Sequence, residues 1–139
     1  MAVEKTRNAG TLTEAGFNSL ITSALRKANS YWKPKQQCIR DARVARGQYM
    51  CSSCRSVVPT SIYGVYKSGK KKGRPRKIKN IVADHIEPVV DPHVGFQGWD
   101  VYVKRMFIET GWQAICLSCH KVKSAEESTI AAERRRKEK

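Results

Sequence analysis

Apolar residues recur at three- and four-residue spacing at Phe17, Leu20, Ile21, Ala24, Leu25 and Ala28, which predicts one amphipathic helix, opened by the capping-box pair Thr11 and Glu14. Residues 1–10, poor in apolar side chains, are expected to be a mobile arm. A second helix is expected from Pro34 to about Arg46, with Cys38, Ile39, Ala42 and Ala45 on one face and Gly47 stopping it, so that residues 11–47 form a helical support. From Gln48 to Ile62 the pattern breaks into short strand-like pieces around a CSSC knuckle. Ile81 to Ile86 reads as a strand, and Pro88, Asp91, Pro92 and Gly95 force a loop after it. Trp99, Val103, Met106 and Phe107 have helical spacing before Gly111, and Gln113 to Cys116 is the return strand. Ser124 and Glu127 repeat the capping-box spacing, so a charged C-terminal helix and tail is expected over 125–139.

Composition narrows this to a soluble domain with a polyanionic partner. The 139 residues suffice for one domain, and the apolar share of 40% is interrupted by charge, so the core should be small and in need of a staple. Lys and Arg number 27 against 12 acidic residues, a net charge of +15 that repels itself unless nucleic acid neutralises it. No run approaches the roughly 20 apolar residues that cross a bilayer, and the first residues do not read as a secretory leader. A soluble, intracellular protein without membrane association is expected.

Five cysteines in a reducing compartment point to metal before disulfide. Cys51 with Cys54, and Cys116 with Cys119, are two CxxC pairs, each able to grip one ion with two thiolates. Together they predict a Cys₄ zinc site, closed to water and therefore structural. The 61 residues between the pairs exceed a usual zinc-ribbon gap, so a functional segment is expected between them. The competing reading is four reduced core cysteines.

Between those pairs, IVADHIEPV sets Asp84 beside His85, and ICLSCHKVKS sets His120 directly after the last cysteine. A CxxC, then an Asp-His strand followed by Ile and Pro, then CxxCHxxK, resembles the HNH nuclease family over about residues 51–124. WKPK, RVARGQYMCSSC and WDVYVKRMF extend the likeness to small HNH proteins of T7-like bacteriophages. The resemblance implies an α+β fold: a zinc-stabilised ββα-metal core over 48–124 with N-terminal supporting helices. It implies that His85 is a general base, and that Asp84 and His120 hold one catalytic divalent ion, Mg²⁺ or Mn²⁺. Because side chains alternate along a strand, Asp84 and His85 should point to different sides unless the strand is distorted or ends there. The family's middle Asn falls on Gly111, which is expected to preserve a left-handed hairpin turn while losing a hydrogen bond. His120 could instead be a zinc ligand, and Asp84 with His85 a plain surface pair.

Residues 67–79, KSGKKKGRPRKIK, are expected to be a flexible basic loop facing DNA, with Lys70, Lys71, Lys72, Arg74, Arg76, Lys77 and Lys79 as nucleic-acid contacts. GRPRK at Gly73 to Lys77 resembles the AT-hook core that lies in a narrow minor groove. The expected function is metal-dependent hydrolysis of DNA phosphodiester bonds, by nick or double-strand break, in a phage homing or processing role within the host bacterial cytoplasm. The rival is a non-catalytic zinc module that binds DNA or a host factor. Oligomeric state is not legible in the sequence.

Overall fold

The computed structural model describes residues 2–139, which divide into two compact units, one running to Trp32 and the other Lys33–Lys139. The fold is a small α+β one, with four α-helices and several small antiparallel sheets among the described residues.

In the first unit, α1 (Glu14–Asn29) starts not at Thr11 but at Thr13, whose Oγ1 accepts from the Gly16 N–H at 3.0 Å. Thr11 serves the preceding turn instead, donating its hydroxyl to the Asn8 carbonyl at 2.6 Å. That turn passes through Asn8, Ala9 and Gly10, all at positive φ, and is closed by a bridge between Arg7 and Leu12. Arg7 ties it to the helix by pairing with Glu14 at 2.8 Å and lying over the Phe17 ring at 4.6 Å. The segment expected to be an arm is thus partly folded back by a local charge pair. Phe17, Ile21 and Leu25 are half-buried and Asn29 continues their line as a buried residue, whereas Leu20 is exposed.

The second unit opens with α2 (Lys33–Asp41), which stops five residues before the expected end. Arg43 to Ala45 form β1 instead, pairing with β2 (Gln48–Met50), which pairs in turn with β3 (Val57–Pro59). Gly47 is no helix stop. At φ +69° it makes the turn between β1 and β2, and its carbonyl accepts from the Thr60 N–H at 2.9 Å. The expected basic loop is likewise a strand in part: β4 (Ser61–Val65) and β5 (Pro75–Lys79) pair over five residues each. The chain reverses between them through a tip in which the Tyr66 and Arg74 backbones bond at 3.1 Å and those of Gly73 and Tyr66 at 2.8 Å. A run of charges conceals a strand because the pairing is carried by backbone groups while the charges point to water.

β6 (Ile81–His85) pairs antiparallel with β7 (Trp112–Cys116), and α3 (Trp99–Met106) lies in the connection between them. The face that α3 buries is Tyr102 and Met106, while Val103, expected inside, is 40% exposed. After β7 the chain enters α4 (Leu117–Lys137) without a break. No helix begins at Ser124: Cys116 is the N-cap, with extended backbone at φ −71° and ψ 160°, and the Leu117 N–H donates to the Asn80 carbonyl at 3.0 Å. A cysteine held by its cluster at the strand end supplies the turn that a Ser or Thr cap would otherwise make. Ser124 and Glu127 then lie within the helix.

The core is sparse. Ile81, Ile115 and Cys51 are the largest fully buried side chains, and Cys51, Ile115 and Cys116 form one cluster with Val58 and Cys119 packed against it. Burying so few methyl groups leaves little hydrophobic stabilisation for a chain of this size, so the cysteine cluster at the centre of the core is where a staple is needed. No helix among the described residues is long and apolar enough to cross a membrane.

Candidate functional site

The four knuckle cysteines come together as the spacing predicts. The Sγ atoms of Cys51, Cys54, Cys116 and Cys119 all lie within 4.8 Å of one another, and Cys54 and Cys116 are 3.9 Å apart. A tetrahedron with zinc–sulfur bonds of about 2.3 Å has edges of about 3.8 Å, so the cluster fits zinc without rebuilding. Both knuckles aim backbone donors at sulfur. Cys51 Sγ accepts from the Cys116 N–H at 3.2 Å and the Cys54 N–H at 3.5 Å. Burial pushes the Cys51 thiol up, but the donors of Cys54, Cys116 and Ser53 together outweigh it and bring the pKa down. Cys54 falls to about 6, chiefly through the Ser56 hydroxyl, while Cys119, facing the other sulfurs, is pushed up to about 12. Without a cation, one negative sulfur forces a neighbour to keep its proton. A divalent ion removes that conflict, and the closed four-thiolate set leaves it no position for water. His120 is not needed in this cage.

The second cluster grows from the β6–β7 hairpin. Across the register Asp84 faces Gln113 and His85 faces Trp112. His85 is the last residue of β6, but the register runs regularly through it, so strand alternation sends Asp84 and His85 to opposite faces and the end of the strand does not bring the two side chains together. Asp84 meets α4. Its Oδ2 accepts from Lys123 Nζ at 2.5 Å and from Gln113 Nε2 at 3.1 Å. Its Oδ1 lies 3.7 Å from His120 Nε2, beyond hydrogen-bond reach, so the two ligand atoms face each other without satisfying one another. A divalent cation with bonds of about 2.1 Å could touch both, since 3.7 Å is less than twice that length. An open depression of about 400 Å³ is lined by Gln113 and Lys123, the two partners of Asp84, together with Ser118 and Cys119, but by neither Asp84 nor His120.

The His85 ring turns the other way. Its Nε2 is 2.8 Å from the Met106 carbonyl, and its ring centroid is 4.1 Å from that of Trp112. A carbonyl can only accept, so the proton belongs on Nε2 and the lone pair on Nδ1. Burial is the largest influence on its pKa and lowers it, aided by Lys35 and Lys123 and opposed by the Met106 carbonyl and Asp84. Burial thus favours the neutral ring. The structure therefore brings Asp84 and His120 together and sets the His85 ring on the opposite face of the strand, with its tautomer fixed by the Met106 carbonyl.

Three contributors carry no role in the sequence reading. Lys123 bridges Asp84, the His85 carbonyl at 2.5 Å and Glu127 at 3.3 Å. Its signal was the spacing of three and four that puts His120, Lys123 and Glu127 on one face of α4. Gln113 and the Met106 carbonyl had no signal, because both depend on strand register and on where α3 docks. Among the basic residues, Arg76 and Lys71 lie 5.6 Å from the Tyr66 ring, while Lys70, Lys72, Arg74, Lys77 and Lys79 are exposed along the β4–β5 ribbon.

Gly111 closes the hairpin, its carbonyl accepting from the Ile86 N–H at 2.9 Å. Its φ of +99° lies well beyond the left-handed helical region that Asn tolerates, and an added Cβ would sit 3.1 Å from Ile108 Cδ1. Gly111→Asn is accordingly expected to cost about 1–3 kcal/mol, read as a melting temperature lowered by several degrees. An unchanged melting curve would show that the turn relaxes freely. Comparison of the chain with family models, with curated proteins and with solved structures returned no match.

Proposed function

We propose that this chain is a zinc-stapled, metal-dependent endonuclease of the HNH type, hydrolysing DNA phosphodiester bonds. The observation that carries the reading is the facing pair Asp84 Oδ1 and His120 Nε2, 3.7 Å apart, with His85 next to Asp84 in the chain and held by the Met106 carbonyl in the tautomer that leaves Nδ1 free to take a proton. The order of CxxC, Asp-His strand and CxxCHxxK, with its resemblance to the HNH family, supports it.

In this reading Asp84 and His120 hold one Mg²⁺ or Mn²⁺, which when bound supplies Lewis-acid stabilisation of charge on the phosphate. His85 removes a proton from water through Nδ1 while the Met106 carbonyl steadies the imidazolium that results. Gln113 orients the Asp84 carboxylate, leaving Oδ1 to the ion. The four thiolates hold zinc and take no part in the chemistry. The net charge of +15 draws the polyanion to the surface. Incubating supercoiled plasmid with Mg²⁺ or Mn²⁺ tests the reading: the wild-type protein should nick or linearise it and His85→Ala should not. Equal cleavage by both would remove His85 from the mechanism.

Lys123 has a consequence that can be measured without activity. Its ammonium occupies Asp84 as an internal counterion, and a second cation must compete with it. Lys123→Met is expected to tighten Mn²⁺ binding in calorimetry, about tenfold for each 1.4 kcal/mol of competition removed, while lowering the melting temperature of protein free of added divalent ion. Weaker Mn²⁺ binding in that variant would show that Lys123 supports the ion rather than opposing it.

The same ion pair favours a second reading, a non-catalytic zinc module that binds DNA, in which Lys123 permanently neutralises Asp84. That protein would bind duplex and would show no saturable Mn²⁺ site removed by Asp84→Asn.

A further inference from the structure

Residues 42–83 contain no Asp or Glu and eleven Lys or Arg, and the middle of this stretch is the β4–β5 ribbon. Cross-strand partners share a face, so Ser61 with Lys79, Tyr63 with Lys77 and Val65 with Pro75 form one side, and Ile62 with Ile78 and Gly64 with Arg76 the other. The second side is covered in part from within: Ile78 lies so close to Gly64 that a Cβ there would be 2.8 Å from its Cδ1, and Ile62 is 37% exposed. The first side is open. Tyr63 is 76% exposed and Val65 55%, and Lys77 and Lys79 stand exposed beside them. An aromatic ring flanked by ammonium groups, with Lys70, Lys71, Lys72 and Arg74 at the tip, is complementary to base edges bordered by phosphates.

We infer that this ribbon is a DNA-reading arm that enters the major groove, with Tyr63 and Lys77 toward the bases and the basic tip on the phosphates. The inference rests on the DNA-acting reading above but not on cleavage. Size decides the groove. Two strands about 4.8 Å apart, with their side chains, exceed a minor groove about 6 Å wide, whereas a major groove about 12 Å wide admits a two-stranded ribbon. The backbone of Pro75 to Lys77 is committed to β4, so GRPRK cannot lie flat in the minor groove as an AT-hook does. Five paired residues at about 3.4 Å each give roughly 17 Å, the rise of about five base pairs. The deep, narrow major groove of A-form RNA refuses the same ribbon.

The arm is also aimed. Only Asn80 separates β5 from β6, and it is 8% exposed. Its N–H donates to the Thr60 carbonyl at 2.9 Å, its carbonyl accepts from Leu117 at 3.0 Å, and its Nδ2 donates to the Pro59 carbonyl at 3.4 Å. Lys77 and Asp84 are seven positions apart, so their Cα atoms lie within about 25 Å, and the groove contact must fall within about seven base pairs of any phosphate held at Asp84.

The test is binding of a labelled 25-base-pair duplex by the full chain, followed by fluorescence anisotropy without added divalent ion. Methyl green, which fills the major groove, should displace the protein, and netropsin, which fills the minor groove, should not. RNA duplex of the same sequence should bind at least tenfold more weakly than DNA. Tyr63→Ala with Lys77→Ala should weaken DNA binding by about tenfold or more, with zinc content retained. Displacement by netropsin alone, or equal affinity for RNA duplex, overturns the inference even if the double variant fails to fold, since both use the wild-type protein. Folded double variant binding like wild type overturns it too. Groove-selective binding without any cleavage upholds the arm and sinks the nuclease reading, whereas cleavage by a protein that netropsin displaces does the reverse.

Discussion

Stripping the metal from the four-cysteine cage, or replacing Cys51 with Ser, is expected to unfold Lys33–Lys139 rather than merely weaken it. The purified protein should carry one zinc per chain, and a strong chelator should abolish its cooperative melting transition. Structural zinc contributes roughly 10–16 kcal/mol in small zinc-dependent folds, comparable to or larger than the roughly 5–15 kcal/mol of total stability of an ordinary domain. Here little else is available, because the fully buried large side chains are Ile81, Ile115 and Cys51 itself. Cys51 is 0% exposed and collects donors from both knuckles, so its sulfur joins the loop after β2 to the end of β7. Cys38→Ser, which touches a half-buried thiol outside the cluster, should leave zinc content unchanged. A chelated protein that melts as before would make these cysteines ordinary core residues.

His85→Ala is expected to lower cleavage by about 10² to 10⁴ while the protein stays folded and keeps its zinc. Losing the ring removes one hydrogen bond to the Met106 carbonyl, at about 1–3 kcal/mol, a cost below the roughly 5–15 kcal/mol stability of an ordinary domain. Asp84→Asn should also suppress cleavage, but through loss of divalent-ion binding, and calorimetry separates the two. The acid limb of the wild-type rate should fall below the ordinary histidine value of about 6.5, because burial depresses the His85 pKa and the neutral base persists to lower pH. Stability linked to this ring has the corresponding sign: it is full above that ordinary value and declines as pH falls below it, where the unfolded chain takes up the proton first. A His85→Ala protein that retains full cleavage, or an acid limb at pH 8, would end the assignment of His85 as base.

The parts of the fold carried by local chemistry were legible before any coordinates. The helix over Phe17 to Leu25, the strand through Asp84 and the return strand ending at Cys116 all announce themselves by periodicity, and two CxxC pairs announce their cluster by spacing. Errors fell where a neighbour supplies what the local sequence lacks. Arg43 to Ala45 left a helix because Gln48 to Met50 offered a strand to pair with. Pro75 to Lys79 became a strand although it carries three charges in five residues, since β4 satisfies its backbone while the charges remain in water. The last helix began early because Cys116, pinned in the cluster, replaced the Ser124 cap.

By itself the sequence determined which groups are present and which of them are close along the chain: four thiols in pairs, an acid beside an imidazole, a basic stretch without a single carboxylate. Tertiary structure decided their directions. Register placed Gln113 against Asp84, docking of α3 gave His85 a carbonyl and thus a tautomer, and the face of α4 delivered Lys123 and His120 to one carboxylate. Such contacts join residues 21 to 39 positions apart, and no local propensity encodes a distance of that kind; only the closing of the hairpin and the cysteine cluster does.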